Sequence, residues 1–595
     1  MSEHILVAIA WPYANSQIHV GNITGSHLPG DIFARYQRLA GKKPVVVSGS
    51  DAHGTPVTVY ADAHNTTPLQ VYQQFHRDFL DLFQQLGISY DLFTSTHTET
   101  HFEVSQKLFL ALDKNNYLYT EKQQQWYAPS QNRFLPDRYV EGTCYICGYE
   151  NARGDQCDNC GNLLDATLLL DPRSKIDGSA PVLRETEHFY LDLAKLQPDV
   201  IDFLRSREEH LRPNVLRQSL GQILAADLHG RAITRDLDWG IPVPVEGWSG
   251  KCLYVWFEAV IGYLSAAIEW AQVEGDPQAW HDWWYNPEAR SLYFIGKDNI
   301  PFHAVNWPAQ LIGAGEWFGK LFEGREGTQL NLPSDIPANE FMNLEKRKIS
   351  GSRSWAVWGL DFLSRYDPDP LRYYLTVNMP ESKDTDWDWN DFVRRNNDEL
   401  VATWGNLANR VLSFAHRTWE GRTPTPGDLR PADRELLAAV EAGFQAVGEQ
   451  IDAVHLRAGL GEAMRLASEV NKYLDQAAPW FEIKEDKQAA ATTVFTALKA
   501  IDSLKVLFAP FLPFTSERLH TYLGYQAPLF GEQFVETRQD ALGEHLVLRY
   551  RAGNASGRWE PGRLQPGQPL ETPEPLFRKL DEGIAEEERA RLGSS

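Results

Sequence analysis

Residues His19, Gly21 and Asn22 could bind a phosphate group, because they follow an apolar run and stand where a helix should begin. The run, Ile5 to Ala10, has the composition of a buried strand and is followed by a Trp-Pro-Tyr-Ala-Asn turn. In open parallel sheets, ligands bind beyond the carboxyl ends of the strands, where a helix N-terminus offers free N–H groups to phosphate. His19 could donate to a phosphate oxygen, and Gly21 lacks a Cβ, so that an adenine or ribose could lie on the backbone. Taken alone, the motif also fits a core histidine beside a tight turn.

Four cysteines form two Cys-x2-Cys pairs, which are Cys144 with Cys147 and Cys157 with Cys160. Two close pairs of thiolates can complete a tetrahedral shell, and zinc is the metal that this pattern predicts. The alternative, two disulfides, needs an oxidising compartment. Because four protein ligands leave no coordination position open for a substrate, we expect the zinc to be structural. Cys252 lies in an apolar segment and is expected to be packed in the core.

Length and composition indicate a large globular protein with several domains. The chain has 595 residues, 43% of them hydrophobic, and no apolar run approaches the ~20 residues that span a bilayer. The first apolar run is too short for the core of a signal peptide, so we expect a cytoplasmic protein without membrane contact. The net charge of −23 argues against nonspecific coating of nucleic acid, and a nucleic-acid partner would have to use local basic patches.

The order of the patterns predicts a split α/β domain followed by a helical bundle. Short apolar runs alternate with amphipathic segments from Ile5 to about Asn115, as in βαβ units. The pattern becomes irregular from Tyr117 to about Pro213, where the four cysteines lie, and then resumes in LYVWFEAVIGYL and SLYFIGKDNIPFHAVNWPAQL. From about Asp388, apolar residues recur at three- and four-residue steps, which is typical of amphipathic helices. We therefore predict a split Rossmann-like nucleotide-binding domain with a zinc-knuckle insertion, followed by an all-α bundle.

A second motif far downstream, Lys348-Ile349-Ser350-Gly351-Ser352, gives the first motif a context. Together with the split fold and the bundle, the two motifs resemble those of class I aminoacyl-tRNA synthetases. The finer resemblance is to the methionyl-tRNA synthetase family, and it covers most of residues 5 to 480. It is carried by the segments WPYAN, DAHGTP, STHTETH, FLPDRYVEGTC, YVWFEAVIGY, FIGKD and DPDPLRYYLT.

The resemblance implies a two-step reaction. Methionine and ATP give methionyl-adenylate and pyrophosphate, and the methionyl group then passes to the 3′ end of tRNA(Met). It implies Mg²⁺ with the ATP, and catalytic phosphate contacts from His19, Asn22, Lys297 and Lys348. The implied ATP site is made of His19, Gly21, Asn22, Lys297, Asp298, Lys348, Ser350 and Ser352. Two alternatives stay open, a weak or silent synthetase-like tRNA-binding protein and a class I synthetase for another amino acid.

The resemblance also implies a methionine pocket. Asp51 would hold the α-ammonium group, aromatic rings would face the polarizable thioether, and Tyr13 and His303 would hydrogen-bond its sulfur. The implied pocket consists of Trp11, Tyr13, Asp51, Trp256, Ala259, Tyr263, Asn299, Phe302, His303 and Trp307.

Asn406, Arg410 and Trp480 match the residues that contact the anticodon in the family. Splayed bases are recognised by stacking on aromatic rings and by hydrogen bonds to their edges, which suits an indole, an amide and a guanidinium.

We expect a monomer. The resemblance divides the chain into a first catalytic half (1–116), an insertion (117–213), a second catalytic half (214–330), a signature-loop region (331–387), an anticodon-binding bundle (388–530) and a C-terminal extension (531–595).

Three residues depart from the family pattern. Gly351 replaces the second lysine of the signature loop, which removes a cation that would face the ATP phosphates. We predict that Lys346, Arg347 or Arg353 substitutes for it. Asn22 replaces a second histidine but can still donate to phosphate, and Val260 stands where the pocket often has proline.

Overall fold

The computed structural model describes residues 3–136, 139–154, 157, 159–160, 162 and 164–593. The side chain of Ser352, which the sequence analysis assigns to the ATP site, lies outside the described residues. No helix in the described ranges combines the length and the apolar composition that a bilayer crossing requires.

The first half of the α/β domain begins with a strand of apolar residues, five of which are buried because the sheet is covered on both faces. A π-helical turn at Ile23–His27 joins the helix that starts after His19 to the long helix that follows. The strands are β1 (His4–Ile9), β2 (Lys43–Ser50) and β3 (Leu92–Ser95), and the helices are α1 (Val20–Asn22), α2 (Leu28–Leu39), α3 (Thr55–Ala63), α4 (Pro68–Leu86) and α5 (Glu99–Lys114).

The segment from Leu118 to Ala232, which covers almost all of the predicted insertion (117–213), forms two small antiparallel sheets and three helices. Its strands are β4 (Leu118–Ala128), β5 (Arg133–Phe134), β6 (Val140–Thr143), β7 (Ala152–Arg153), β8 (Leu170–Ser174), β9 (Val182–Leu191) and β10 (Arg231–Ala232), and its helices are α6 (Leu193–Ser206), α7 (Pro213–Gln218) and α8 (Leu220–Ala225).

The second half of the α/β domain leads directly into the signature-loop region. The strands are β11 (Thr234–Arg235), β12 (Cys252–Leu253), β13 (Arg290–Gly296), β14 (Ala338–Asn339), β15 (Met342–Leu344), β16 (Arg347–Lys348) and β17 (Thr385–Trp387), and the helices are α9 (Val255–Glu258), α10 (Gly262–Val273), α11 (His281–Trp284), α12 (Trp307–Ala314), α13 (Trp317–Glu323), α14 (Gly359–Leu363) and α15 (Pro368–Val377).

The predicted helical bundle is confirmed, and the helix Lys487–Phe508 lies at its centre with most of its residues buried. The helices are α16 (Trp389–Arg395), α17 (Asn406–Thr418), α18 (Pro431–Asp452), α19 (Leu456–Ala477), α20 (Pro479–Glu482), α21 (Lys487–Phe508) and α22 (Pro513–Tyr522), and a hairpin of β18 (Glu532–Asp540) and β19 (Gly543–Arg551) precedes the last helix, α23 (Ile584–Arg591).

The C-terminal hairpin is part of the catalytic sheet. The strand order is β14-β13-β1-β2-β3-β19-β18, and β19 runs antiparallel to β3 at the pair Leu548 and Phe93. The other neighbouring strands, β14 to β3, are parallel, so their carboxyl ends meet at one edge. The split Rossmann-like fold is therefore confirmed. The domain boundaries given above stay predictions, and the sequence offered no sign that the extension supplies two strands of this sheet.

A buried ion cluster ties the α/β domain to the bundle. Arg372, in α15, donates to Asp31 Oδ2 (2.7 Å) and to the backbone carbonyls of Pro510 (2.9 Å) and Phe511 (2.9 Å). Arg35 donates to the same carboxylate oxygen at 2.9 Å. Although desolvation alone would raise the pKa of Asp31, the two guanidinium groups lower it to about 2. The helix that begins after His19 is thus fixed to the bundle through buried charges.

We expect Arg372→Met to lower the urea concentration at the midpoint of unfolding, because breaking a buried ion pair costs about 3–5 kcal/mol. Arg465→Ala is the control, since the exposed pair of Arg465 with Glu462 is worth at most about 1 kcal/mol. The contribution of Asp31 should be present above about pH 4 and lost as the pH falls toward its folded pKa of about 2. Equal midpoint shifts for the two variants would contradict this role of Arg372.

Candidate functional site

The two signature motifs lie side by side. Residue His19 forms an isolated antiparallel bridge with Trp358. A Cβ on Gly21 would lie 3.2 Å from Ile349 Cδ1, so the first motif also touches the second one. The flanking backbone hydrogen bonds run from Val20 N to Val357 O (3.0 Å) and from Gly359 N to Ile18 O (2.9 Å). The structure thus brings together the two segments that the sequence analysis placed around one nucleotide.

The imidazole of His19 is oriented by the helix that it caps. Its Nδ1 accepts from the backbone N–H groups of Gly21 (3.1 Å) and Asn22 (3.3 Å), and the Asn22 side chain accepts from the His19 N–H at 3.2 Å. Burial lowers the pKa of His19 to about 4, so the ring is neutral at pH 7. Because Nδ1 accepts, the proton of the neutral ring lies on Nε2, which is therefore a donor in a fixed direction.

Lys297 and Lys348 meet over one aromatic ring. Lys297 Nζ lies 4.3 Å and Lys348 Nζ 5.5 Å from the ring centroid of Phe341. Lys348 is exposed, whereas Lys297 donates to Glu340 Oε2 and Asp384 Oδ1, both at 2.7 Å. Desolvation lowers the pKa of Lys297, but these hydrogen bonds outweigh it and raise the pKa overall. Lys348 is thus the more available cation. Lys297 would have to bind a phosphate while it also donates to two carboxylates.

Gly351 packs beside the residue that pairs with His19. A Cβ at Gly351 would lie 3.1 Å from Trp358 Cη2, which is a tight contact. Of the three cations predicted to substitute for the missing lysine, Arg347 lies over the Trp355 ring (4.0 Å), and the backbone of Lys346 donates to Asp386 (2.8 Å). Arg353 is exposed at the end of the turn Gly351–Arg353. Its position in the same turn makes Arg353 the best-placed substitute.

A cavity of about 330 Å³ opens next to the first motif. It contains eight of the ten residues predicted for the amino-acid pocket and two from the predicted ATP site. The first set is Trp11, Tyr13, Asp51, Trp256, Ala259, Tyr263, Asn299 and His303, and the second is Asn22 and Asp298. Val260 also lines it. A single space therefore joins the predicted pocket to Asn22, whose side chain accepts from the backbone N–H of His19.

Two glycines form the slot that holds Trp11. A Cβ at Gly49 would lie 2.1 Å from Trp11 Cζ3, and a Cβ at Gly262 would lie 2.6 Å from Trp11 Cε2. Gly54 is placed in the same way against the ring of Tyr13 at 2.6 Å. Because real Cβ atoms cannot approach so closely, these glycines set the positions of the two aromatic walls.

Two polar atoms at the cavity have no partner among the described residues, namely Asp51 Oδ1 and Trp11 Nε1. Burial and the nearby Glu258 carboxylate raise the pKa of Asp51 well above its ordinary value. A buried carboxylate oxygen without a donor is costly, and a cationic or N–H donor entering the cavity would satisfy it. The site is therefore suited to an ammonium group.

Three residues of the predicted pocket contribute to the cavity in different ways, namely His303, Phe302 and Trp307. His303 binds the Tyr263 hydroxyl through Nε2 (2.7 Å) and the Asn299 carbonyl through Nδ1 (3.0 Å), so both ring nitrogens are occupied. Phe302 stacks on Trp256, with ring centroids 3.9 Å apart, and forms a second layer behind it. Trp307 is fully buried and donates to the Tyr293 hydroxyl at 3.1 Å. Phe302 and Trp307 thus support the wall and do not line the cavity.

A buried network that the sequence analysis did not identify holds the loop after Asp51. Glu258 accepts from His53 Nδ1 (2.9 Å) and His101 Nε2 (2.8 Å), and His53 Nε2 lies 3.0 Å from His97 Nδ1. Burial lowers the pKa of His53 and of His97 to about 3. These histidines stand in DAHGTP and STHTETH, but nothing in the spacing of the two motifs indicates that they share a carboxylate.

The four paired cysteines form one cluster. Their sulfur atoms all lie within 4.8 Å of one another, and the Sγ atoms of Cys147 and Cys157 are 3.6 Å apart. Metal–sulfur bonds of about 2.3 Å in a tetrahedron need sulfurs at nearly this spacing. None of the five cysteines forms a disulfide, and Cys252 is buried as expected. Four convergent thiols thus fit a metal ion.

The predicted anticodon residues lie together on the bundle. Asn406 is exposed on α17, and Arg410 lies one turn further, with its guanidinium carbon 4.5 Å above the Trp480 ring. Trp480 follows Ala478, whose φ of 41° makes the sharp turn between α19 and α20. Phe481, which the sequence analysis did not select, is an exposed ring next to Trp480. The surface offers the aromatic and hydrogen-bonding groups that bind unstacked bases.

Comparison with known proteins agrees with this geometry. A family model described as tRNA synthetases class I (M) matches residues 5–412, and one described as anticodon binding domain of methionyl tRNA ligase matches residues 423–545. The chain is 54% identical over 594 residues to methionine–tRNA ligase of Thermomicrobium roseum, covering 100% of this chain and 99% of the relative. It is 52% identical over 604 residues to methionine–tRNA ligase of Roseiflexus castenholzii, with coverage of 100% and 99%.

The fold also resembles a solved structure. Mycobacterium tuberculosis methionyl-tRNA synthetase bound by methionyl-adenylate has a TM-score of 0.73 and 24% identity, with 97% of this chain and 100% of that chain covered. The fold and the matched models define the chain as a class I aminoacyl-tRNA synthetase. Within that class, it belongs to the methionine–tRNA ligase family.

We expect the cysteine cluster to bind Co²⁺ with the absorption bands of a tetrahedral thiolate site. Cys157→Ser should weaken or abolish these bands, because it removes one of the four sulfurs. Cys252→Ser is the matched control and should leave them unchanged. Bands of equal strength in the wild type and in Cys157→Ser would contradict the proposed ligand set.

Proposed function

We propose that this chain activates methionine with ATP to form methionyl-adenylate and transfers the methionyl group to the 3′ end of tRNA(Met). One observation carries the proposal. Residues 18–20, around His19, and residues 357–359, which follow the signature loop, are hydrogen-bonded together beside a cavity lined by the buried Asp51, whose Oδ1 has no hydrogen-bond partner among the described residues. Such a site can hold an amino acid and a triphosphate next to each other.

The first step needs two anions to be held in line and the departing pyrophosphate to be neutralised. His19 Nε2–H would donate to a phosphate oxygen from one side, while Lys348 Nζ would approach from the signature loop. The side-chain oxygen of Asn22 is bonded to His19 N–H, so its amide N–H groups can donate to phosphate. Arg353 would supply the second cation that Gly351 lacks. Magnesium would arrive bound to the triphosphate and needs few protein ligands.

Methionine would bind with its ammonium group on Asp51, whose Oδ1 lacks a donor, and with its side chain against Tyr13 and Trp256. Both nitrogens of His303 are engaged, so we assign it to holding the Tyr263 hydroxyl rather than to a direct bond with the sulfur. An apolar wall of aromatic rings suits a polarizable thioether.

The peripheral sites support the second step. We propose that one Zn²⁺ is held by Cys144, Cys147, Cys157 and Cys160, which stiffens the insertion without touching the substrate. Asn406, Arg410 and Trp480 would bind the anticodon of tRNA(Met) by stacking and by hydrogen bonds to the base edges. A monomer in the cytoplasm remains our prediction from the sequence.

Methionine-dependent exchange of pyrophosphate into ATP tests the proposal. We expect exchange with methionine to exceed exchange with isoleucine, valine or leucine, because the aromatic rings that line the cavity favour a polarizable thioether. Exchange no faster than without amino acid would reject the activation step. If tRNA binding through Arg410 and Trp480 persisted in that case, a silent tRNA-binding protein would be the remaining function. A different preferred amino acid would indicate another class I specificity.

We expect that Gly351→Lys does not increase the exchange rate, because a Cβ at this position presses on Trp358, which pairs with His19. Gly351→Ala, which adds the Cβ without the charge, should slow exchange severalfold. Gly461→Ala is the control, since an added Cβ there meets nothing within 4 Å. A large gain for Gly351→Lys would show instead that the native loop lacks a needed cation.

A further inference from the structure

The last helix of the chain returns to the signature loop. Arg589, in α23, donates through Nε to Glu345 Oε1 at 3.0 Å, and Gly593 N–H donates to the Ser354 carbonyl at 3.0 Å. Glu345 precedes Lys348 and Ser354 follows it, so α23 contacts one end of the loop that carries this lysine, and Gly593, two residues beyond the helix, contacts the other end. Residues that lie more than two hundred positions further along the chain therefore contact both ends of the loop.

These two points are strained positions of the backbone. Glu345 has a φ of 48°, Lys346 of 64° and Ser354 of 51°, all in the left-handed region. For residues other than glycine this conformation is unfavourable, and it persists only where surrounding contacts hold it. The Glu345 side chain also accepts from the backbone of Trp389 at 3.0 Å. The contacts from α23 therefore lie where the loop needs external support.

The helix that makes these contacts is itself anchored. Glu588 is buried and accepts from Arg365 Nε (2.9 Å), Arg365 Nη2 (3.0 Å) and the Tyr366 hydroxyl (2.8 Å). Ala585 is buried on the same helix. A rigidly held helix can fix the loop, whereas a loosely attached one would move with it.

We propose that Arg589 is a positioning residue for the signature loop, and that α23 holds the loop so that Lys348 and Arg353 face the triphosphate. The inference rests on the proposed function, since the work assigned to this loop is to bind ATP. It concerns the step that uses ATP and not the binding of methionine, because Glu345 and Asp388, which pair with Arg589, do not line the cavity.

The test is Arg589→Glu in the full chain, which places a new carboxylate beside Glu345 and Asp388. In methionine-dependent exchange, kcat/KM for ATP should fall about tenfold, since small displacements of a charged group cost that much or more. The dissociation constant for methionine, followed by tryptophan fluorescence, should stay within about twofold of the wild type, because methionine does not touch the loop. Arg589→Lys keeps the charge and should restore most of the ATP dependence.

Arg551→Glu is the matched control. Arg551, like Arg589, is an arginine near the C-terminus that pairs with a carboxylate, here Glu532, but it is more exposed (61% against 32%) and lies on the hairpin and not on α23. It should leave both the ATP and the methionine parameters unchanged. Parallel losses for ATP and methionine in Arg589→Glu would indicate general damage and overturn the positioning role. An unchanged ATP dependence would overturn it as well.

Limited proteolysis with trypsin gives a readout that does not depend on activity. Lys346, Arg347, Lys348 and Arg353 are cleavage sites within or beside the loop, and all are exposed. We expect Arg589→Glu to be cut there faster than the wild type and faster than Arg551→Glu. Equal rates at these sites would contradict the inference. If the wild type had no exchange activity, the proposed function would fail while this cleavage test would still decide the role of α23.

Discussion

The structure of the site depends on the pairing of two short segments that are distant in sequence. Residues 18–20 and 357–359 are joined by backbone hydrogen bonds, and His19 lies opposite Trp358 within this pairing. The pairing fixes the start of the helix that His19 caps relative to the loop that carries Lys348. Because hydrogen bonds weaken steeply when their geometry is displaced, this pairing limits how far the His19 imidazole can move relative to the loop that carries Lys348.

The same pairing connects the cavity of about 330 Å³ to the rest of the molecule. The helix after His19 continues through a π-helical turn into α2, which contains Asp31. Arg372 donates to Asp31 and also to the Pro510 carbonyl, and it thereby links α2 to the bundle. On the other side, Arg589 of α23 and Gly593 beyond it contact the two ends of the signature loop. The His19 segment is thus tied to the bundle and the signature loop to the C-terminal region, although neither region lines the cavity.

The sequence predicted those features that depend on local spacing. The four cysteines converge, as their paired spacing indicated, and His19 caps a helix after a buried strand. The bundle helices follow from their three- and four-residue periodicity. A resemblance of motifs supplied the pocket residues, of which Phe302 and Trp307 turn out to lie behind its wall. Which member of such a set faces the cavity depends on packing, which periodicity does not encode.

Other features could not be predicted because they depend on contacts between distant segments. The carboxylates that hold Lys297, the Phe341 ring below both lysines and the Glu258 network all combine residues from separate elements. The hairpin at 532–551 has an alternating pattern that is weak in isolation, and its place next to β3 is set by an exposed strand edge. Glycines such as Gly49 and Gly262 acquire their meaning only when the Trp11 ring between them is known.

The most direct measurement is a crystal structure of the full chain with methionine and a non-hydrolysable ATP analogue. The account predicts one triphosphate that lies within about 3 Å of both His19 Nε2 and Lys348 Nζ, a normal hydrogen-bond distance. It also predicts the methionine ammonium group on Asp51. A triphosphate bound elsewhere, or one that contacts His19 while Lys348 points to solvent, would contradict the claim that the two paired segments form a single nucleotide site.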